Sequence, residues 1–429
     1  MINKLFFWLA QIFFFLMLVI PASHQAWRGM LLAVLLLAVA LRLMRMNTWK
    51  LHKDIYYWGL LCVTASLLFM LNGAIHNGPG ALEVGTVYVV WPLLYLFLSG
   101  FLNRPEQLAP FTVTLLAGAI SAAMLGVMFV LQELAGFDFG ISSLVEDQGG
   151  TLGSTDDFIK FSLPNLTTVI YALPFLLGQL MLPQKISNLE GKRLVFTWIG
   201  LLLAVIVLLI SARKAFWVIS ALSPFVILII FRLCNIQFDY KKIMGKAIAI
   251  FAFAVVVMSI SGVSFESNWD HMMSGFEFAD PDNISANTRL QQFVALLQGW
   301  MENPILGAGH GMAASGFEFR VKDMEFGRSM PWGYELSYVA LLFHTGLIGI
   351  LVYGSAVVWL FVRGIATVRR QPEAAGMLIP LLSALVGFLI ANATNPYLEK
   401  FDYLWTLFLP VAVLNAYLLK SKQSEIHSL

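Results

Sequence analysis

Residues 335–353 read ELSYVALLFHTGLIGILVY, an apolar run long enough to cross a bilayer. They follow Ser264 to Glu335, the longest interval of the chain without such a run. Inside that interval, residues 287–311 read NTRLQQFVALLQGWMENPILGAGHG. Leu290, Phe293, Val294, Leu297, Trp300 and Met301 recur at helical spacing, and Pro304, Gly307, Gly309 and Gly311 end the pattern. The spacing predicts an amphipathic helix and a glycine-rich turn, so the interval is a folded loop.

Working outward, the chain is 59% hydrophobic and 12% charged. It holds many apolar runs of about 18 residues or more, enough for about 30 Å of hydrocarbon. An all-α polytopic membrane protein is expected, with twelve spans near 4–20, 27–44, 55–72, 84–100, 110–132, 164–182, 194–211, 214–232, 246–263, 335–361, 376–392 and 402–419. Spans one to nine occupy 1–263, the large loop 264–334, and spans ten to twelve 335–429. The start, MINKLFFWLAQIFFFLMLVIPASHQA, has the outline of a signal peptide, but with so many spans behind it an uncleaved first helix is expected.

Basic residues concentrate in 41–54, 103–107, 184–193, 231–246 and 362–373, which share one side if the spans alternate. By the positive-inside rule that side is cytoplasmic, with both termini there. The other side receives 21–28, 72–83, the 133–163 loop, the SARK turn at 211–214, the large loop and NATNPYLEKFD at 392–402. A net charge of +2 says little about partners in such a chain; membrane lipids are expected neighbours and no nucleic acid is. Cys62 lies within an apolar run and Cys234 just beyond another, so neither a disulfide nor a cysteine metal site is expected. The seven histidines lack zinc-ligand spacing, and there is no Walker-type loop or dinucleotide fingerprint.

The residues able to do chemistry lie on the outer side. Arg213 and Lys214 sit between two apolar runs, where a double cation is costly unless water or an anion meets it. The plainer alternative is that both snorkel to headgroup phosphates. Arg289 opens the loop helix, where its fork and the first free backbone N–H groups suit a phosphate; an ordinary solvated charge is the competing reading. Arg320, Lys322 and Arg328 alternate with Glu318, Asp323 and Glu325, so pairing or solvation competes with substrate contact. Glu335, where the loop enters span ten, can serve as a general base toward a hydroxyl, or be a helix-start acid favoured by the macrodipole. His344 falls on the other side of that helix, about 13 Å deeper, and reads as a hydrogen-bonded packing residue. His310, in GAGHG, is expected at the outer solution, as a ligand contact or a plain turn residue. Asp280 with Asp282, and Asp156 with Asp157, are acid pairs of the kind polar loops commonly carry.

The order SARKAFWV, then TRLQQFVALLQGWMENPILGAGHG, then a glutamate at the loop-to-helix junction, then GLIG resembles the O-antigen ligase and polymerase family of bacterial inner-membrane glycosyltransferases. Members have a Ser-Arg pair after a span, a periplasmic loop with an Arg, a Trp and a Pro-x-x-Gly-x-Gly turn, and a GxxG eleven residues past the junction. Here these are Ser211 and Arg213 with Ala212 between them, then Arg289, Trp300, Pro304, Gly307 and Gly309, then Gly346 and Gly349. The resemblance covers roughly residues 195–360.

It implies a donor glycan on undecaprenyl pyrophosphate, with arginines rather than a metal neutralising the departing diphosphate, no cofactor, and a base that deprotonates the acceptor hydroxyl for inverting attack. Glu335, Arg213 and Arg289 would be catalytic; Lys214, Trp300, His310, Arg320 and Arg328 would contact substrate. The acceptor would be another glycan or lipid-linked glycan, and a chain-length regulator is a conceivable partner. Ligases of the family resemble one another in carrying His followed by Asn, Ser or Gln at the junction. Here Glu335 is followed by Leu336, which favours a polymerase of O-antigen or a related surface polysaccharide over a ligase acting on lipid A-core. A lipid-linked glycan transporter is the reading from a different class; it would show two superposable halves.

Overall fold

In the computed structural model, residues 2–45, 49–155, 158–187, 189–211, 213–261, 284–316 and 330–427 are described. The chain is a bundle of helices: α1 (Ile2–Val19), α2 (Gln25–Arg45), α3 (Lys53–Ile75), α4 (Ala81–Gly85), which continues through a π turn into α5 (Trp91–Phe101), α6 (Pro105–Ala135) and α7 (Ser142–Asp147). A two-stranded antiparallel hairpin follows, β1 (Thr151–Thr155) with β2 (Phe158–Ser162). Then come α8 (Leu166–Met181), α9 (Gln184–Ser187), α10 (Gly191–Ile210), α11 (Lys214–Leu233), α12 (Tyr240–Ser261), α13 (Ile284–Glu302), α14 (Ser337–Arg370), α15 (Ala375–Asn392) and α16 (Trp405–His427).

Helix covers, among the described residues, most of each stretch where a span was expected. Among the described residues, nine helical segments are long and apolar enough to cross a membrane, so the chain has the build of a multi-pass membrane protein. Where the first and sixth spans were expected, the apolar helices are shorter, Lys4–Val19 and Leu166–Met181.

The shortness of α8 has a packing reason. Every one of its residues is buried, so α8 is apolar all round and meets protein rather than lipid. It packs against α15, α10, α6 and α11. Its polar groups are spent on neighbours: Thr168 Oγ1 donates to the Leu18 carbonyl (2.7 Å) and Tyr171 Oη to that of Leu381 (3.3 Å).

At the end of the bundle with the expected cytoplasmic segments, charges tie helices together. Asn415 Nδ2 donates to the carbonyls of Lys50 and Ser99, Arg369 Nε to that of Leu233, and Arg363 pairs with Asp54 at 3.0 Å. The Arg42 guanidinium lies over the rings of Phe6, Phe7 and Phe101 at 4.9–5.3 Å. Cys62 and Cys234 are free.

The Pro304–Gly311 turn is wedged into α14. Gly346 has φ 61° and ψ −164°, a region essentially closed to residues with a Cβ, and it breaks the helix. The break strands the carbonyls of Phe343 and His344 and the N–H groups of Leu347 and Ile348, and the turn satisfies all four. Ala308 N–H donates to Phe343 O (2.8 Å) and Gly309 N–H to His344 O (2.9 Å). Leu347 N–H donates to Pro304 O (3.0 Å) and Ile348 N–H to Ile305 O (3.1 Å). Irregular backbone is tolerated inside a membrane protein only on such terms. The approach leaves no room for a side chain: a Cβ on Gly307 (φ 70°) would stand 2.5 Å from the main chain of His344–Gly346. Beyond it, His310 N–H donates to Phe69 O and Gly80 N–H to Gly311 O, both at 3.0 Å, so the turn also closes the end of α3.

Candidate functional site

Two arginines expected at the site are held by neighbouring structures at one end of the bundle. Arg289 lies on α13, five residues after the helix begins at Ile284. It does not open the helix, as the sequence suggested, so its own N–H is not one of the free first-turn donors. Its Nε instead donates to Glu335 Oε2 at 2.9 Å, and both side chains keep part of their surface open, 29% and 40%. Glu335 stands just before α14, and its position is set by backbone: Gln292 Oε1, fully buried on α13, accepts from Glu335 N–H at 3.1 Å. The helix that carries the arginine therefore also holds the carboxylate.

The packing of α13 reverses the expected use of its stripe. Ala286, Gln292, Ala295 and Leu296 are its buried residues, while Leu290, Phe293, Val294 and Met301 are exposed. Gly299 is where Phe343 of α14 presses in. A face of Gln292, Ala295, Leu296 and Gly299 makes the close approach, and Leu290, Phe293, Val294 and Met301 are left outside.

Arg213 occupies the three-residue junction between α10 and α11. Ser211 closes α10, its Oγ donating to Leu208 O at 2.9 Å. Arg213 Nη2 donates to Ser162 Oγ at the end of β2, and the guanidinium lies 5.9 Å from the Phe216 ring centroid. It also hydrogen-bonds Tyr397, whose phenol is pushed above its ordinary range by burial and pulled back by the Arg213 charge. Tyr397–Glu399 is a short 3-10 turn joining α15 to α16. Two residues before it, the Asn395 carbonyl accepts from Ser337 Oγ at 2.9 Å, at the first turn of α14 beside Glu335. The 395–399 connection thus touches Arg213 at one end and the Glu335 junction at the other.

Glu399, on that connection, escaped the sequence reading. It keeps some solvent exposure yet is largely surrounded by protein. Burial pushes it up to about 8 against the opposing pull of Lys400, so it is mostly protonated at neutral pH. It lies within electrostatic reach of Tyr88 and Tyr334. No motif marks it; the only signal was that NATNPYLEKFD belongs to the outer side.

His310 is a correction. Expected at the outer solution, it is 1% exposed, because the turn that carries it folds back into the bundle. Its ring stacks on Tyr88 at 4.8 Å and meets Phe69 edge-on at 5.8 Å, and neither ring nitrogen has a hydrogen-bond partner. Burial, with His344 nearby, drops its pKa to about 3, so it is neutral and unavailable as a cation. His344 is buried as expected, with Nε2 3.0 Å from Met312 O. Trp300 spends its Nε1–H on Pro304 O (3.0 Å), which braces the turn.

Lys214 begins α11, and its side chain falls outside what the structure describes. Arg320, Lys322 and Arg328, and the acid pairs 156–157 and 280–282, lie outside the described residues. Among the described residues no three His, Cys, Asp or Glu side chains gather as a metal site.

Chemically, the arrangement offers two guanidinium groups, one paired with an accessible carboxylate, and a connecting turn that bears a second, neutral carboxyl. Such groups can hold a polyanion and exchange a proton with a hydroxyl. In comparisons with known proteins, no protein-family model matches the chain and no curated protein is significantly similar to it.

Proposed function

We propose that this chain is a glycosyltransferase of the bacterial inner membrane that polymerises O-antigen or a related surface polysaccharide from undecaprenyl-pyrophosphate-linked glycan, with both termini cytoplasmic and the site facing the periplasm. The observation that carries the reading is the Arg289–Glu335 pair: cation and carboxylate 2.9 Å apart, partly open to solvent, at the junction of loop and helix. Arg213 supports it through the shared 395–399 connection.

In the proposed reaction the donor diphosphate displaces Glu335 from Arg289. An exposed pair is worth only about 0–1 kcal/mol, so a diphosphate competes for the guanidinium at little cost. Glu335, released, takes the proton of the acceptor hydroxyl. The acceptor oxygen bonds to the anomeric carbon as the bond from that carbon to the diphosphate oxygen breaks. The electron pair leaves with the diphosphate, whose charge Arg289 and Arg213 neutralise, and configuration inverts.

The test is complementation of a strain lacking the protein, with surface polysaccharide read on a gel. A polymerase restores a ladder that had collapsed to single repeats. Loss of all attached polymer with lipid-linked polymer accumulating would identify a ligase instead, and unchanged polysaccharide in the deleted strain would remove the reading. Arg213→Ala, Arg289→Ala and Glu335→Gln are each expected to abolish product while the protein still inserts.

A further inference from the structure

The exposed stripe of α13 needs an explanation that the transferase reading does not supply. In a helix packed on protein and washed by water, the large apolar residues face inward. Here the inward face is Gln292, Ala295, Leu296 and Gly299, while Leu290, Phe293, Val294 and Met301 are 42%, 42%, 44% and 59% exposed. At 100° per residue, positions 290, 293, 294, 297 and 301 fall on one narrow face opposite the buried one, and Arg289 and the exposed Gln291 and Gln298 lie on its flanks.

The stripe does not end with the helix. Ile305 and Leu306, 60% and 55% exposed, carry it into the turn, and hydrogen bonds from Leu347 and Ile348 to the carbonyls of Pro304 and Ile305 fix that turn against α14. Leu347 and Ile348, 48% and 40% exposed, belong to a helix long and apolar enough to span the membrane. The stripe thus leads onto a helix with the length and apolarity of a membrane span. We propose that α13 is an interfacial helix, its Leu290–Phe293–Val294–Leu297–Met301 stripe bedded in the hydrocarbon edge of the leaflet on the Arg213 side and Arg289 at headgroup level.

Two consequences follow. The large loop is then seated in the bilayer by its own helix. Arg289 meets a lipid-borne phosphate at the depth where lipid phosphates lie, without lifting the lipid out of its leaflet.

The test needs no enzymatic activity, so it stands or falls separately from the transferase reading. The full chain, with Cys62→Ser, is labelled with a nitroxide at Leu290→Cys, Phe293→Cys, Met301→Cys or Gln298→Cys in phosphatidylethanolamine–phosphatidylglycerol vesicles; Cys234 is buried. Labels at 290, 293 and 301 are expected to collide with oxygen in preference to a water-soluble nickel chelate and to report depths of ~5–10 Å below the phosphates, with position 298 preferring the chelate. Three positions on one face keep the result independent of any single label that disturbs folding. Equal access of the chelate to 293, 298 and 301 would overturn the proposal. So would shielding of the stripe from both reagents, which would mean that protein, from this chain or a second copy, covers it.

Discussion

Arg28–Asp402 and Arg289–Glu335 are both arginine–carboxylate pairs, 2.5 and 2.9 Å long, and they do opposite things. The first ties the start of α2 to the residues leading into α16, with side chains 5% and 12% exposed. The second sits at the rim of the bundle, 29% and 40% exposed, between α13 and the residue before α14. A buried pair is costly to form and more costly to break singly, because the survivor is left as an uncompensated charge. An exposed pair contributes little to the fold. Its charges are therefore free to be used, and the difference in exposure separates a brace from a working site.

The largest effect expected from breaking this comparison is at the brace. Arg28→Ala removes the guanidinium from the buried Asp402 and should cost about 3–5 kcal/mol, seen as a sharply lower thermal unfolding temperature in detergent and poor accumulation in the membrane. A variant that melts with the wild type would show that the pair is not what holds α2 in place.

Next is the wedge that fixes the loop to α14. Gly307→Ala adds a methyl 2.5 Å from the main chain of His344–Gly346 at φ 70°. Left-handed strain of about 1–2 kcal/mol and overpacking of about 1–3 kcal/mol put the expected loss near 2–5 kcal/mol. Gly354→Ala, within α14 and meeting nothing within 4 Å, is the control and should not lower stability, with a gain of about 0.5–1 kcal/mol expected from replacing an interior helical glycine.

These sites show how far the sequence could be read. Fold class was legible because crossing hydrocarbon demands long apolar runs, and no other soluble or fibrous arrangement does. Arg213 drew attention because a double cation between two apolar runs is costly, Arg289 because it lies early in the loop helix, and Glu335 because it marks the junction of loop and span. The turn at 304–311 was legible as an interruption but not as a wedge, because the backbone it fits, at Gly346, lies some 40 residues away and shows only glycine in both places. His310 was misplaced for the same reason: a loop assumed to run through solution in fact turns inward. The apolar stripe of α13 was found, yet its direction was not, since periodicity identifies a face and not what the face meets. Glu399 and Tyr397 carried no pattern at all.

Two neutral groups around the site give a smaller and oppositely signed pair of effects. His310 is held neutral down to about pH 3, so as pH falls through the unfolded value near 6.5 the unfolded chain takes a proton that the folded one refuses, and stability drops. Glu399 is held protonated up to about 8, so stability drops instead as pH rises above the unfolded value near 4.3. Between pH 5 and 7 each slope amounts to about 2 kcal/mol, and in the wild type they oppose one another. Relative to the wild type, His310→Phe should therefore tilt the stability profile toward loss from pH 5 to 7, and Glu399→Gln toward gain. Thermal unfolding of the three proteins across that range reads the sign directly, and parallel curves would refute both assignments.

The smallest structural effect, and the one that sharpens the comparison most, belongs to Glu335→Gln. The exposed pair should be missed by no more than about 0.2–1 kcal/mol, and the N–H of residue 335 still has Gln292 Oε1 to bond. Transfer, by contrast, should fall by about 10²–10⁴-fold if the carboxylate accepts the acceptor's proton. The two readouts must therefore separate: an unfolding temperature close to wild type beside lost polysaccharide. Arg28→Ala should show the reverse order, losing stability first and activity only in proportion to the protein that remains folded. If Glu335→Gln instead melts as early as Arg28→Ala, the outer pair is a second brace and the carboxylate has no claim to the chemistry. If it melts normally and still makes a full ladder, Glu335 serves only to orient Arg289 between substrates, and the proton goes elsewhere.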